Sequence, residues 1–192
     1  ATARRGAASV IAVGRPLAED LRAGGVRLPP VHVINMGVDM DRFVPGDRGA
    51  ARERLGLDPA APLVLAVGGL TERKNPIGLL QAVARARDVR PDLRVAFVGD
   101  GPLARAVDVG AARMGLEGAV IRAGALPHEA VSDWVAACDM LAMVSRVEPL
   151  GVAALEALAG GRPVVATRIG GPPRGGAAPP ARRGGEPAAP AA

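Results

Sequence analysis

"PLVLAVGGLTERKNPIGLLQAVARARD", residues 62–88, is followed closely by "LRVAFVG", residues 93–99. The first segment opens with an apolar run, Pro62–Gly68, passes through a glycine-bearing turn, and then sets Ile77, Leu80 and Val83 on one helical stripe. The second is again apolar on successive positions, with no polar alternation. Strands of this kind must be covered on both faces, and the helices between them supply the cover. The segment therefore predicts strand, helix, parallel strand.

The same pattern extends in both directions. Downstream, "PLARAVDVGAARMG" (102–115) reads as a helix with Pro102 at its start. "AVIRAG" (119–124), "DMLAMV" (139–144) and "RPVVAT" (162–167) are further apolar strands, separated by helices over about 128–137 and 151–160. Upstream, "SVIAV" (9–13) precedes the helix-like "RPLAEDLRAGG" (15–25), with Pro16 in its first turn, and "VHVI" (31–34) is the next short strand. "NMGVDMDRFVPGD" (35–47) has no useful periodicity and reads as a connector. The fold class expected is α/β, a Rossmann-like doubly wound parallel sheet. Residues 172–192 contain no large aliphatic side chain, so they cannot bury enough surface to offset the entropy of ordering and read as a disordered tail rich in Pro, Gly, Ala and Arg.

Composition removes several function classes. The net charge of +5 rests partly on Arg4, Arg5, Arg174, Arg182 and Arg183 in the poorly patterned ends, and no aromatic residues interleave with basic ones, which argues against nucleic-acid binding. Cys138 is the lone cysteine, so no intramolecular disulfide forms, and its place between an apolar helix and an apolar strand makes it a buried thiol in a reducing, cytoplasmic setting. No apolar run reaches membrane-spanning length. The chain starts without a methionine or a signal-peptide pattern and is expected to be a fragment.

In a doubly wound sheet, ligands sit beyond the carboxyl ends of the strands. Three such turns carry chemistry: "VGGLTERKN" (67–75), "VGDGPLA" (98–104) and "SRVEPLG" (145–151). The middle one has the G-x-G-x-x-A form of a dinucleotide fingerprint, but it follows the second strand of its unit, and the next strand ends without an acid for a ribose hydroxyl. A tight turn in a nucleotide-binding sheet is the preferred reading. Asp39–Met40–Asp41 has the D-x-D form of a metal-binding motif but lies in the connector with no further acid to complete an oxygen cage, so it reads as turn chemistry. His32 and His128 are isolated and lack ligand spacing, and no Ser/His/Asp arrangement is visible.

The last turn leads into a helix near Gly151 whose free amides favour an anionic group such as a diphosphate. Glu148 stands just before that helix and Glu156 inside it, placed to reach different parts of one extended ligand; carboxylates accept hydrogen bonds from vicinal hydroxyls, which sugars and riboses both offer. The competing reading makes Glu148 a cap on the helix dipole and Glu156 a solvated surface acid. Of the 24 basic residues only Lys74 is a lysine, and it falls beside Arg73 in the loop after the first strand of the unit, where it can counter a phosphate charge. That favours the ligand-binding reading.

Taken together, "EPLGVAALE" with its E-x7-E spacing, the following "ALAGGRPVVATRIGG", "NMGVDMDRFVP", "VGGLTERKN", "FVGDGPL" and "AACDMLAMVSRVEPLG" resemble, in order and spacing, the retaining GT-B glycosyltransferases of family 4 over roughly residues 9–171. The resemblance implies two Rossmann-like domains facing a cleft. Residues 1–42 would be a remnant of the N-terminal acceptor domain with the start of a linker, and 43–171 an incomplete donor domain, the whole truncated at both ends. It implies transfer of a sugar, with retention of configuration, from a nucleotide-diphosphate-sugar donor to an unknown acceptor, with no metal and no other cofactor. Glu148 would be the catalytic-site carboxylate contacting the donor sugar hydroxyls, and Glu156 would hold the ribose. Lys74, Arg73 and the backbone at Gly68, Gly69 and Pro149–Leu150–Gly151 would hold the diphosphate, and the loop near Leu126 would pack on the base. Peripheral membrane contact would belong to the missing domain.

The sequence departs from the family's pattern in three places. Gly69 stands where many members carry an arginine, so Arg73 is expected to substitute; Leu150 replaces an aromatic; and "PPRGGAAPP" replaces the usual continuation after Gly171, which points to a frame change. Weak donor binding and no transfer by the fragment are expected. The rivals are a dinucleotide-dependent oxidoreductase using "VGDGPLA" and a non-catalytic Rossmann-like binding module.

Overall fold

Alternation inside the two central strands determines how the molecule is layered. In β3 (Leu63–Val67), Val64 faces one core while Leu63 and Leu65 face another; in β4 (Arg94–Val98), Val95 and Phe97 join the first, and Ala96 and Val98 the second. Successive side chains on a strand point to opposite faces, so apolar residues at every position require cover on both. The computed structural model, which describes residues 7–25, 28–148 and 150–168, shows that cover. On one face α3 (Pro76–Arg87) and α4 (Ala104–Arg113) bring Leu79, Leu80, Val83, Val107 and Ala111 onto the sheet. On the other, α5 (His128–Ala137) and α6 (Val152–Ala159) bring Val131, Trp134, Val135 and Ala157.

The sheet is completed by β5 (Val120–Gly124), β6 (Met140–Met143) and β7 (Val164–Ala166), all parallel, in the order β5-β4-β3-β6-β7. From β3 the chain winds outward through β4 to β5, then returns to place β6 on the other side of β3. The strand order reverses at β3/β6, and the loops after those two strands diverge there. An open α/β sheet places its ligand crevice at such a point. A separate parallel pair, β1 (Val10–Ala12) and β2 (Val31–Val33), is joined by α1 (Arg15–Ala23).

One helix was not expected. Arg48–Arg54 forms α2, capped by Asp47, whose carboxylate accepts from the Gly49 amide at 2.7 Å and the Ala50 amide at 3.1 Å. An Asp before a charged, alanine-bearing run is an N-cap signal, but the short segment has no apolar stripe to draw attention. Its Arg52 is 1% exposed and staples the helix to the sheet: Nε donates to the Ala137 carbonyl, Nη1 to those of Pro59 and Asp58, and Nη2 to Asp139 Oδ2 at 2.7 Å. Asp139 in turn accepts from the Leu63 amide at the start of β3.

The connector at 35–47 also contributes more than linkage, because Phe43 is buried in the core beneath α5. Asp39 Oδ1 accepts from the amides of Asp41 and Arg42 at 3.2 and 3.1 Å, which is the turn chemistry expected of "DMD". Cys138 is fully buried, and burial pushes its thiol up to about 11. Among the described residues no helix is long and apolar enough to cross a membrane, and no group of three or more His, Cys, Asp or Glu is placed to hold a metal ion. The tail at 172–192 lies outside the described residues.

Candidate functional site

Two loops make the candidate site, and three hydrogen bonds tie them together beside an exposed Arg146–Glu72 ion pair at 3.7 Å. After β3 the chain turns through Gly68–Asn75; after β6 it turns through Val144–Gly151. The Arg146 amide donates to the Arg73 carbonyl at 2.7 Å, and Asn75 Nδ2 donates to the Val144 carbonyl at 3.3 Å. Asn75 adopts the left-handed conformation (φ 53°), which asparagine tolerates better than most residues, and this lets it bridge the loops while starting α3. The third bond joins Lys74 Nζ to Glu148 Oε2 at 2.5 Å.

Glu148 is only 10% exposed, and its remaining partners are local. Ser145 Oγ donates to Oε2 at 3.1 Å and the Gly151 amide donates to Oε1 at 3.2 Å. Burial by itself would raise the carboxyl's pKa. The Lys74 hydrogen bond and charge, with Ser145 and the Gly151 amide, outweigh it and hold Glu148 below the ordinary glutamate value, so the group is an anion at neutral pH. Gly151 is itself in the left-handed region (φ 75°), where a side chain would be strained, and a Cβ there would also push aside the tip of Met143, 2.9 Å away; glycine lets the loop enter α6 without either cost.

Glu156 is not the solvated surface acid that one reading of the sequence allowed. It is 5% exposed, and Oε1 lies 2.7 Å from His128 Nε2 at the start of α5. His128 is therefore not isolated, contrary to its sequence reading. Its Nδ1 lies 3.3 Å from Arg42 Nη1, and its ring packs against Phe43 at a centroid distance of 5.3 Å. No spacing rule links residues 42, 128 and 156; the fold brings them together, and the sequence carried no signal for it.

Lys74, Glu148, His128 and Glu156 line a cleft of about 490 Å³ at the carboxyl ends of β3 and β6, a volume in the range of small-molecule sites. Of the residues singled out from sequence, Gly68, Arg73, Lys74, Glu148, Leu150, Gly151 and Glu156 line it, with His128, Val152 and Ala153 added by the structure. Val13 and Met36, from the β1–β2 side, complete the wall. The first amides of a helix have no carbonyl a turn below them, so the start of α6 offers donors to this space. Gly69 and Leu126 are not among the lining residues; Leu126 packs against the core beneath α5 instead. Pro149 lies outside the described residues.

The glycines of "VGDGPLA" have a different task. Gly99 has φ 139°, and a Cβ there would lie 2.1 Å from the Gly68 carbonyl oxygen; one at Gly101 would lie 2.6 Å from that of Leu70. The Gly68 amide donates to Val98 and the Leu70 amide to Asp100, which zips this turn against the β3 loop. The close approach that these glycines permit is to neighbouring backbone, and nothing in the turn favours a dinucleotide.

Comparison with known proteins follows the same lines. The family model for glycosyl transferases group 1 matches residues 47–174. D-inositol 3-phosphate glycosyltransferase 2 of Catenulispora acidiphila is 41% identical over 151 residues, covering 73% of this chain and 35% of that protein. The D-inositol 3-phosphate glycosyltransferase of Xylanimonas cellulosilytica is 36% identical over 171 residues, covering 85% and 41% respectively. The chain thus spans about a third of the length of most of these curated relatives. Among solved structures, Anabaena HepE in complex with UDP-glucose superposes with a TM-score of 0.78 at 28% identity, over 88% of this chain and 47% of that one.

Proposed function

This chain belongs to the glycosyl transferases group 1 family, and we propose that it is the donor-binding part of an enzyme that moves a sugar from a nucleotide-diphosphate sugar to an acceptor hydroxyl with retention of configuration. The observation that carries the reading is the meeting of Lys74 and Glu148, from the two loops that diverge at the switch point of the sheet, on the wall of a cleft that also holds Glu156. A cation and free helix amides suit a diphosphate, and two separated carboxylates suit two sets of hydroxyls.

Each residue then has a task. Lys74, Arg73 and the amides at the start of α6 hold the diphosphate. Glu148, already tied to Lys74, meets the donor sugar where it joins the phosphate, and Glu156 takes the ribose. The bond between the anomeric carbon and the diphosphate oxygen breaks with its electron pair leaving on the diphosphate, while the acceptor oxygen bonds to the anomeric carbon and gives its proton to the departing diphosphate. Positive charge fixed beside the diphosphate oxygen is therefore stronger help in the transition state than in the ground state. No metal and no further cofactor enters this scheme. We place the reaction in the cytoplasm, where nucleotide sugars and a reduced Cys138 coexist. HepE was solved with UDP-glucose, which makes a uridine diphosphate sugar the first donor to try. The acceptor is left as a hydroxyl-bearing molecule.

The test is a binding titration with UDP, GDP and ADP at low salt, beside Lys74→Ala. Saturable binding of one nucleotide, lost in the variant, is expected and names the base. A folded chain that binds none of them refutes the reading and leaves a scaffold without a donor site.

A further inference from the structure

The reading of Glu156 as the ribose contact leaves open what keeps a carboxylate inside the protein aimed at a ligand, and the geometry around it supplies a candidate. We infer that His128 is the positioning residue for Glu156, held in that role by Arg42 and Phe43 of the connector, and that it sets the preference of the site for a ribose with both hydroxyls.

The proton inventory assigns the tautomer. A guanidinium has only N–H donors, so Arg42 Nη1, 3.3 Å from His128 Nδ1, donates to it, and Nδ1 is the ring's acceptor. The ring proton is then on Nε2, which donates to Glu156 Oε1 at 2.7 Å. Arg42 is anchored in turn: Nη1 reaches Glu129 Oε1 at 3.5 Å and Nε lies 3.7 Å from Asp39 Oδ2. Phe43, 1% exposed, packs against one side of the imidazole in a tilted contact. The connector thus supplies one hydrogen bond and one ring contact to the imidazole, and Glu156 supplies the other hydrogen bond.

The Glu156 side chain is 7% exposed, against 52% for His128. The histidine thus stands at the mouth of the cleft and the carboxylate behind it. A carboxylate oxygen has two lone pairs, so the bond to Oε1 stops the group from rotating without saturating it, and Oε2 has no donor among the described residues. Two hydroxyls arriving together meet an acceptor already in place, and the ordering cost of that acceptor has been met by the fold. Arg42 and Phe43 of the connector between β2 and α2 thereby act on Glu156 through His128, while Met36 of the same connector lines the cleft directly.

The experiment compares UDP, GDP and ADP with their 2′,3′-dideoxy forms, in the unchanged chain, His128→Ala and His128→Gln. Glutamine places an amide N–H near the position of Nε2. The expected result is a preference for the ribose form that falls at least about tenfold in His128→Ala, the worth of a hydrogen bond to a charged group. Affinity for the dideoxy form should stay unchanged, and His128→Gln should keep most of the preference. Equal loss for both forms in His128→Ala means that the histidine only supports the fold, and it overturns the inference while sparing Glu156. A preference untouched in both variants overturns it as well. No preference in the unchanged chain removes the ribose assignment of Glu156 and this inference with it, whereas the Lys74 titration still decides the diphosphate site separately.

Discussion

Replacing Lys74 by methionine removes one charge and leaves most of the stem, which matters because Lys74 Cε lies against Gly68, 3.3 Å from where a Cβ would stand there. The partner left behind, Glu148, is 10% exposed, and Lys74 is 21% exposed. An exposed bridge is worth about 0–1 kcal/mol, whereas stripping one partner from a buried pair costs about 3–5 kcal/mol. This pair lies between those limits, and Ser145 and the Gly151 amide still donate to the carboxylate in the variant. We therefore expect a loss of about 2 kcal/mol at neutral pH, which in urea moves the midpoint by about 1 M.

The pH dependence gives the sharper check. Because the folded-state pKa of Glu148 is depressed below its ordinary value of 4.5, the stability it contributes is fully present above that value and is lost as pH falls through the lower folded value. The gap between the two proteins should be widest near neutrality and should close in acid. Urea melts of both proteins from neutral pH to below the carboxylate range measure it. A gap that stays constant across that range, or one under about 0.5 kcal/mol at neutrality, would show that the two loops are held by the backbone and Asn75 bonds rather than by this charge pair.

Gly99→Ala forces a Cβ onto the Gly68 carbonyl at φ 139° and should cost about 3 kcal/mol or more, while Gly118→Ala, in open space, should be near neutral; equal urea midpoints for the two would refute the zipped-loop account. At Gly69, beside the cleft-lining Gly68, a Cβ would meet nothing closer than 3.6 Å, and Gly69→Arg, by adding a cation at the edge of the cleft, should tighten nucleotide diphosphate binding several-fold at low salt, an effect that titration reads directly and added salt should erode. Cys138, buried and with its thiol pushed up to about 11, should resist a thiol-specific reagent at neutral pH until denaturant is added; rapid labelling of the native chain would contradict its burial.

The legible part of this protein is what local pattern controls. Apolar strands such as Leu63–Val67 and Arg94–Val98 need no partner to be recognised, and α5, expected over 128–137, spans His128–Ala137. The placement of Lys74 and Glu148 was legible for the same reason: once β3 and β6 are placed, the turns that follow must set both residues at the carboxyl ends of the sheet. Helix α2 was missed because its stability comes from a cap and from Arg52, whose partners at Pro59, Ala137 and Asp139 are set only by the fold.

His128 shows where sequence reading ends. His128 has no ligand spacing to another histidine in the sequence. Its chemistry depends on Arg42 and Glu156, one in a connector without periodicity and one on a helix that reaches it only through the crossing of β6 to the far side of β3. The same crossing brings Lys74 to Glu148. The two carboxylates of this cleft are therefore held by two kinds of neighbour. Glu148 is held by its own loop and the adjacent one, so its environment follows from strand order alone. Glu156 is held by a side chain that the connector orients, so its environment follows from how the β1–β2 side is joined to the sheet. Changes at Arg42 and Phe43 should then reach Glu156 without touching Glu148, which is why the ribose preference, and not overall nucleotide affinity, is the quantity that separates the two.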